Sequence, residues 1–354
     1  MRWCGVLGNK KTPGKFSVLE CLYCCLKTMY RREKPIGLKG SASALCNNLS
    51  ILVMPDKRQI SYAVVHKYAV NVITASTDGS SVTARQVICK EPSATQGNPF
   101  LMEAKWVQTS SRCIMVLTTQ RGIQMFEQDG SAMIYWHGLS DSTADSTSSN
   151  FARGIAGVGD CVCIGNESGK ILVFNIPAKG TNVTLQNTLK GHSSPICDLT
   201  SEENTLISSD GVGTILIWNF SGSDAKQVTS ISGSGSPCNS VRLWKGVVVA
   251  GYASGHLRLF SAASGKMGAE VTAHARAINA VDVAAGKGLV LTAGGDSFLR
   301  LWQIKPGNVP HIEYKHAEHV SDLQLTGGRF VDPQGRALCL TGFDHNEVVF
   351  YIQA

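Results

Sequence analysis

The stretch AHARAINAVDVAAGKGLVLTAGGDSFLRLW, residues 273–302, decides the fold of this chain. A histidine precedes an apolar strand, a second apolar strand runs into a turn with an aspartate, and a last strand ends in an aromatic residue. The same order recurs twice, with His192 and His316 in the place of His274. Each histidine is followed four positions later by an aliphatic residue, so the register continues into a strand. The chain therefore contains an internal repeat.

Strands that end in an aromatic residue recur every 42 to 48 residues, at Phe126, Phe174, Trp218, Phe260, Trp302 and Phe350. This spacing is that of the four-stranded blades of a β-propeller. A more divergent set of four strands fits between Asn47 and Ile88. Runs such as VVVAG, VLTAG and CVCIG are apolar without alternation, as expected for strands covered on both faces. We therefore predict an all-β protein with a seven-bladed β-propeller.

The ends of the chain predict how the ring closes. The last aromatic strand stops at Ala354, which leaves no residues for a fourth strand in that blade. We expect residues 34–40, KPIGLKG, to supply it, because closure of the ring leaves no long free edge. The sequence then divides into a basic, disordered extension over residues 1–33 and a single propeller over residues 34–354.

The positive charge lies mostly outside the predicted ring. The chain has a net charge of +7, but residues 1–34 hold eight basic and two acidic side chains, which leaves +1 for the rest. A surface that binds nucleic acid needs clustered Lys and Arg, so we expect no nucleic-acid partner. For residues 1–28 three interpretations stay open: acylation at Cys21, Cys24 and Cys25 with peripheral membrane contact, metal binding, or disorder with translation starting at Met29.

The cysteines and the hydropathy pattern indicate a cytoplasmic protein. The twelve cysteines lie in apolar strands or at scattered positions, without the paired spacing of a metal site. No apolar run is long enough to span a membrane as a helix. We expect no metal and no cofactor, and we expect association with vesicles or membranes only through the N-terminal segment.

Four residues of the quoted stretch form a constellation: His274, Thr292, Asp296 and Trp302. A histidine that donates to the aspartate, next to a hydroxyl and an indole N–H, would satisfy polar groups in the core. The set also resembles a Ser-His-Asp relay. Because the histidine recurs in other blades, we interpret the set as structural and expect no catalytic residues and no enzyme activity.

This constellation is similar to the hydrogen-bonded tetrad of the WD-repeat β-propeller family, and the resemblance runs from about Met29 to the end of the chain. It implies a structural role for the repeated positions His192, Trp218, His316 and Phe350. In the His192 blade, the residue six before Trp218 is Val212, with Asp210 two residues earlier, which leaves that tetrad in doubt.

The resemblance also implies a rigid scaffold or adaptor for protein partners, in signalling or vesicle-associated complexes, with self-association as a further possibility. We expect contact residues two positions before the first apolar residue of each inner strand, around one mouth of the channel: Arg153, Ser194, Asn239, Arg276 and Glu318. Two other functions stay open. A propeller enzyme would need convergent acids or metal ligands in the channel, and a structural subunit of a larger assembly would expose a large apolar patch.

Overall fold

The computed structural model describes residues 29–89, 98–139, 151–305, 307 and 309–354. These residues form 28 strands in seven four-stranded antiparallel sheets. The sheets are numbered here as blades 1 to 7. The strands of blades 1 to 3 are β2–β5 (Ser50–Met54, Gln59–His66, Ala69–Ser76, Val82–Ile88), β6–β9 (Leu101–Gln108, Cys113–Thr119, Gly122–Glu127, Met133–Gly138) and β10–β13 (Ala152–Val158, Cys161–Asn166, Lys170–Asn175, Thr184–Lys190).

The strands of blades 4 to 6 are β14–β17 (Ile196–Glu202, Thr205–Asp210, Ile215–Ser221, Asp224–Ile231), β18–β21 (Cys238–Trp244, Val247–Tyr252, His256–Ser261, Met267–Thr272) and β22–β25 (Ile278–Ala284, Leu289–Gly294, Phe298–Lys305, His311–His319). Blade 7 consists of β26–β28 (Leu325–Phe330, Ala337–Gly342, Glu347–Gln353) and β1 (Tyr30–Gly37). A 3-10 helix, Pro55–Lys57, joins β2 to β3. The predicted seven-bladed propeller is confirmed.

The N-terminal strand closes the ring, as predicted, because β1 pairs with β28 at the outer edge of blade 7. The predicted boundary at residue 34 is wrong, since β1 begins at Tyr30. Tyr30 is buried in the cluster that contains Tyr351 and Leu289, and its hydroxyl donates to the Gly335 carbonyl. An aromatic anchor at this position therefore extends the strand toward the N-terminus. The interpretations of residues 1–28 concern a segment outside the described residues.

A second closure follows β1. Residues 38–49, named here the crossing segment, run from the outer edge of blade 7 to the central channel. There the Asn47 amide donates to the Asn279 carbonyl at 2.8 Å, and the Asn47 side chain donates to the Asn239 carbonyl at 2.9 Å. Ser240 donates to Asn47 Oδ1 at 2.7 Å. The crossing segment thus joins blades 5 and 6 to the N-terminal strand.

The core lies between neighbouring blades. Every residue of β11, β19 and β23, the second strands of three blades, is buried. Each hydrophobic cluster combines side chains of adjacent blades, so the blades stabilise one another by apolar burial. The outermost strands are largely exposed. This pattern matches the apolar runs without alternation, which belong to strands that are covered on both faces.

Candidate functional site

The structure brings His274, Thr292, Asp296 and Trp302 together in blade 6. His274 Nδ1 lies 2.8 Å from Asp296 Oδ1, and His274 Nε2 lies 2.8 Å from Thr292 Oγ1. The Trp302 indole donates to the same hydroxyl at 3.1 Å. These bonds are consistent with a proton on Nδ1 that is donated to the carboxylate. The turn Gly295–Ser297 places Asp296 over the histidine that precedes β22.

Burial and charge set the ionisation of this tetrad. Burial lowers the pKa of His274, and the hydrogen bond to Asp296 only partly offsets that effect. Burial alone would raise the pKa of Asp296, but His274 and the hydrogen bonds from the Ala275 amide and Arg300 hold it well below its usual range. A neutral imidazole therefore faces an ionised carboxylate.

Blade 4 contains a second complete tetrad. His192 Nδ1 lies 2.9 Å from Asp210 Oδ2, and His192 Nε2 lies 2.7 Å from Ser208 Oγ. The Trp218 indole donates to Ser208 at 2.9 Å. The sequence left this tetrad in doubt because Val212 occupies the expected position. Asp210 supplies the carboxylate instead.

Register explains how Asp210 replaces a turn aspartate. Asp210 pairs with Ile196, the first residue of its inner strand, as Gly294 pairs with Ile278 in blade 6. A Cβ atom added to Gly294 would lie 2.2 Å from His274 Nδ1. The last residue of the second strand therefore points at the histidine, and in blade 4 that residue carries the carboxylate itself.

The expectation for His316 is wrong. His316 lies within β25 and pairs with Leu301, nine residues before β26 begins. In blade 7 the equivalent of Gly294 is Gly342, and a Cβ added there would lie 2.2 Å from the Leu323 side chain. Leu323 thus fills the place of the histidine, and Leu340 stands where a hydroxyl would be needed. An apolar contact replaces the tetrad in this blade.

The expectation for Phe350 is wrong by one residue. Trp302 pairs with Val290, the second residue of β23, whereas Phe350 pairs with Cys339, the third residue of β27. Tyr351 occupies the position equivalent to Trp302. Since successive side chains of a strand point to opposite faces, Phe350 faces blade 1 instead, where its ring makes an edge contact with Tyr62.

Both tetrads lie in the core. The His274 and His192 side chains have no exposed surface, and Thr292 and Ser208 are fully buried. Each hydroxyl already interacts with both the imidazole and the indole, so the histidine, acid and hydroxyl groups are committed to one another. The geometry therefore fits the structural interpretation of His192, Trp218 and the blade 6 tetrad.

The central channel holds seven charged side chains. One is the predicted contact residue Arg153, and sequence patterns did not single out the other six: Glu103, Lys105, Asp198, Arg242, Asp282 and Arg329. They lie on the innermost strands, whose inner edges have backbone groups without a neighbouring strand. Three carboxylates each accept a hydrogen bond from a backbone amide of the next blade: Glu103 from Gly154, Asp198 from Val241, and Asp282 from Phe330. These charges thus satisfy the inner edge of the ring.

The channel charges also pair with one another. Arg242 donates to Asp198 at 2.9 Å, and Asp282 lies within 3.5 Å of both Arg242 and Arg329. Burial lowers the pKa of Lys105 to about 8, although Glu103 and Asp198 oppose this effect. Burial raises the pKa of Glu103. A charge inside the inner strand of a blade, as in LMEAKWV, is the sequence signal that could have identified this network.

The five predicted contact residues do not form one ring. Ser194 and Arg276 lie in loops before inner strands, and Arg276 is exposed. Arg153 and Asn239 lie inside β10 and β18, at the bulge that follows the first paired residue. Glu318 lies in the outermost strand of blade 6 and pairs with Leu299, so its predicted position is wrong. Strands β10 and β18 begin at Ala152 and Cys238 rather than at Ile155 and Val241, and a longer connection precedes β26, so these positions are not equivalent.

An apolar groove lies on the top face, defined here as the face where the innermost strands begin. Its volume is about 550 Å³, and its lining includes Leu45 of the crossing segment, Met102, Phe100 and Phe343. Phe100 and Phe343 are 54% and 49% exposed. Lys67 and Asp344 add one charge of each sign to the lining. A groove flanked by large exposed apolar side chains is a candidate binding surface.

In the described part of the chain, no group of three or more His, Cys, Asp or Glu side chains is placed to hold a metal ion. The eight cysteines there form no disulfide with one another, and six of them are buried. No helix in the described ranges is long and apolar enough to cross a bilayer.

Comparison with known proteins gives consistent results. The WDR54 family model matches residues 29–353. The rat protein "WD repeat domain 54" is 40% identical over 332 residues, covering 91% of this chain and 98% of its own length. Human "WD repeat-containing protein 54" is 39% identical over 330 residues, covering 90% of this chain and 98% of that protein. The start of the family match at residue 29 confirms the extent of the resemblance.

Solved structures show the same fold at low identity. A chain of the "Crystal Structure of Mitotic Checkpoint Complex" aligns with a TM-score of 0.70 and 15% identity, covering 99% of this chain and 98% of that chain. A chain of "Structure of U3-55K" aligns with a TM-score of 0.68 and 15% identity, covering 91% of this chain and 98% of that chain. These likenesses concern the fold alone.

Proposed function

Because the chain belongs to the WDR54 family of WD-repeat propellers, we propose that it is a non-enzymatic scaffold or adaptor that binds protein partners through its top face. One observation carries this proposal: Phe100 and Phe343 expose half of their side chains beside an apolar groove of about 550 Å³. Exposed apolar surface of this kind is costly in water and is removed when a partner covers it.

The chemistry of the described residues supports binding over catalysis. The histidine, acid and hydroxyl groups meet in the two tetrads, where each is buried and already hydrogen-bonded. The channel charges bond to backbone groups of neighbouring blades. An enzyme with a pocket in the channel would have to break these contacts to reach its substrate.

The proposal includes where the protein works. Six of the eight described cysteines are buried, and none of the eight forms a disulfide with another, which suits a reducing compartment such as the cytoplasm. There we place the chain in signalling or vesicle-associated complexes, with self-association as one mode of use and membrane contact assigned to the N-terminal segment. We favour proteins over nucleic acids as partners because Asp344 lies on the groove.

The test is reconstitution with a purified partner. A partner recovered from cytosol would be expressed alone, mixed with the full chain, and analysed by size-exclusion chromatography with light scattering. We expect a defined complex that Phe100→Ser/Phe343→Ser abolishes. The matched control is Val53→Ser/Met267→Ser, since these residues are similarly exposed, at 47% and 54%, near the opposite face.

Three outcomes would decide the proposal. Loss of the complex in the groove variant alone supports an adaptor that binds through the top face. Equal binding by both variants rejects the groove. A chain that is insoluble unless it is co-expressed with other subunits would instead favour the structural-subunit function.

A further inference from the structure

The top-face groove is built from two similar halves. On one side, Phe100 lies next to Lys67, because the Leu101 amide donates to the Lys67 carbonyl at 2.8 Å. On the other side, Phe343 is followed directly by Asp344. Each half therefore offers one exposed aromatic ring and one charge, and the two charges have opposite signs.

The crossing segment fixes both halves. The Lys67 amide donates to Ser43 Oγ at 3.1 Å, and the Asp344 amide donates to the Ala42 carbonyl at 2.9 Å. Ala42 also forms a parallel bridge with Phe343. Consecutive residues of one segment thus hold Lys67 on one flank and Asp344 on the other, which presets their positions before a partner binds.

Neither charge has a partner in the described part of the chain. The Lys67 ammonium and the Asp344 carboxylate make no hydrogen bond or ion pair among those residues, and both residues are exposed. By contrast, the seven charged side chains of the channel are buried or half-buried. The charges beside the groove are therefore available to a ligand, and the rings between them offer an apolar surface.

We infer that the groove binds an extended peptide segment of a partner, with a large apolar side chain between an acidic residue and a basic residue. The apolar side chain packs between Phe100 and Phe343, the acidic residue pairs with Lys67, and the basic residue pairs with Asp344. This inference rests on the proposed scaffold function and names the ligand class of the same site. The groove volume is within the range of ligand pockets.

Opposite charges on the two flanks favour a peptide over other ligands. An anionic membrane surface attracts clustered basic residues, and Asp344 would oppose it. A small apolar molecule would use the rings but neither charge. A peptide that crosses the groove satisfies all three features and is bound in one direction only.

The experiment is a selection from a random peptide library displayed on phage, with the full chain as bait. We expect enriched peptides with an apolar centre, an acidic residue on one side and a basic residue on the other. Lys67→Glu should reverse the preference from acidic to basic on one side, and Asp344→Lys should reverse it on the other. Lys57→Glu, an exposed lysine on the opposite face of blade 1, is the control.

Binding of one selected peptide, measured by fluorescence anisotropy, gives the size of the effect. We expect Lys67→Glu to weaken it by roughly 3- to 10-fold, while Lys57→Glu leaves it unchanged and both variants keep the parent melting temperature. Apolar peptides without a charge preference, or a preference that neither reversal changes, would overturn the inference. In that case loss of protein complexes in Phe100→Ser/Phe343→Ser would still support the scaffold function. Failure of the peptide inference can therefore be distinguished from failure of the proposed function.

Discussion

Replacement of Asp210 by Ala should destabilise the propeller more than replacement by Ala of Val212, which occupies the position where the repeat predicts a turn aspartate. The Asp210 side chain is 1% exposed and accepts from His192 at 2.9 Å, from the Thr214 amide at 2.8 Å and from the Val212 amide at 3.1 Å. The two amides lie in a partly exposed turn and can bond to water. The imidazole N–H cannot, because it is buried.

The magnitude follows from these contacts. A hydrogen bond to a charged group contributes about 1.5–3 kcal/mol, and a buried donor left without a partner costs a further 1–3 kcal/mol. We expect Asp210→Ala to lower the free energy of unfolding by about 3–5 kcal/mol. Val212→Ala, in a 42% exposed side chain, should change it by less than about 0.5 kcal/mol.

Urea unfolding followed by tryptophan fluorescence measures the difference, because Trp218 belongs to the same tetrad. The m-values of the parent and the two variants must agree before the midpoints are converted to free energies. A loss below about 1 kcal/mol for Asp210→Ala would refute the tetrad in blade 4. So would an equal loss for Val212→Ala.

Three other predictions concern closure and ionisation. Removing residues 1–28 should leave the unfolding midpoint unchanged, whereas removing residues 1–40 deletes β1 and should lower it strongly; equal midpoints would contradict closure by this strand. Asn47→Ala removes two side-chain bonds that join the crossing segment to blade 5 and should cost about 2–3 kcal/mol in urea unfolding. NMR titration should find pKa values of His192 and His274 below 6.5. The unfolded chain then binds more protons, so these groups reduce stability as the pH falls below 6.5.

Blade number and closure could be predicted because both follow from covalent spacing. An aromatic residue in the third strand of six blades, though not of blade 1, recurs at intervals of 42 to 48 residues and reveals the length of the repeat. Closure follows from counting, since a chain that ends after three strands of its last blade must find a fourth elsewhere. Tyr30 shows the limit of this reasoning, because the sequence did not indicate that it pairs in β1 and is buried in the cluster that contains Leu289 and Tyr351.

The individual positions depend on where each inner strand begins, which the repeat does not reveal. Arg153 and Asn239 lie in strands because β10 and β18 begin one residue before them, at Ala152 and Cys238. In blade 7, Phe350 and Tyr351 are adjacent aromatic residues, and the sequence does not show which one is equivalent to Trp302. The pairing of Tyr351 with Leu338 identifies Tyr351 as the equivalent residue.

The channel charges and the groove could not be predicted for a different reason. Glu103, Asp198 and Asp282 look like interruptions of apolar strands, and only the ring geometry shows that each meets an amide of the next blade. The groove joins Phe100 and Phe343, which are 243 residues apart in the chain. Their proximity depends on closure, which brings blade 7 beside blade 1.

Cross-linking of the purified complex with an amine-reactive reagent, read by mass spectrometry, tests the scaffold function most directly. Lys67 lines the groove, the exposed Lys39 lies two residues before the lining residue Ser41, and Lys57 and Lys287 are exposed on the opposite face. Cross-links to the partner that concentrate at Lys39 and Lys67 are the predicted result. Cross-links that concentrate at Lys57 and Lys287, with none at Lys39 and Lys67, would contradict binding through the top face.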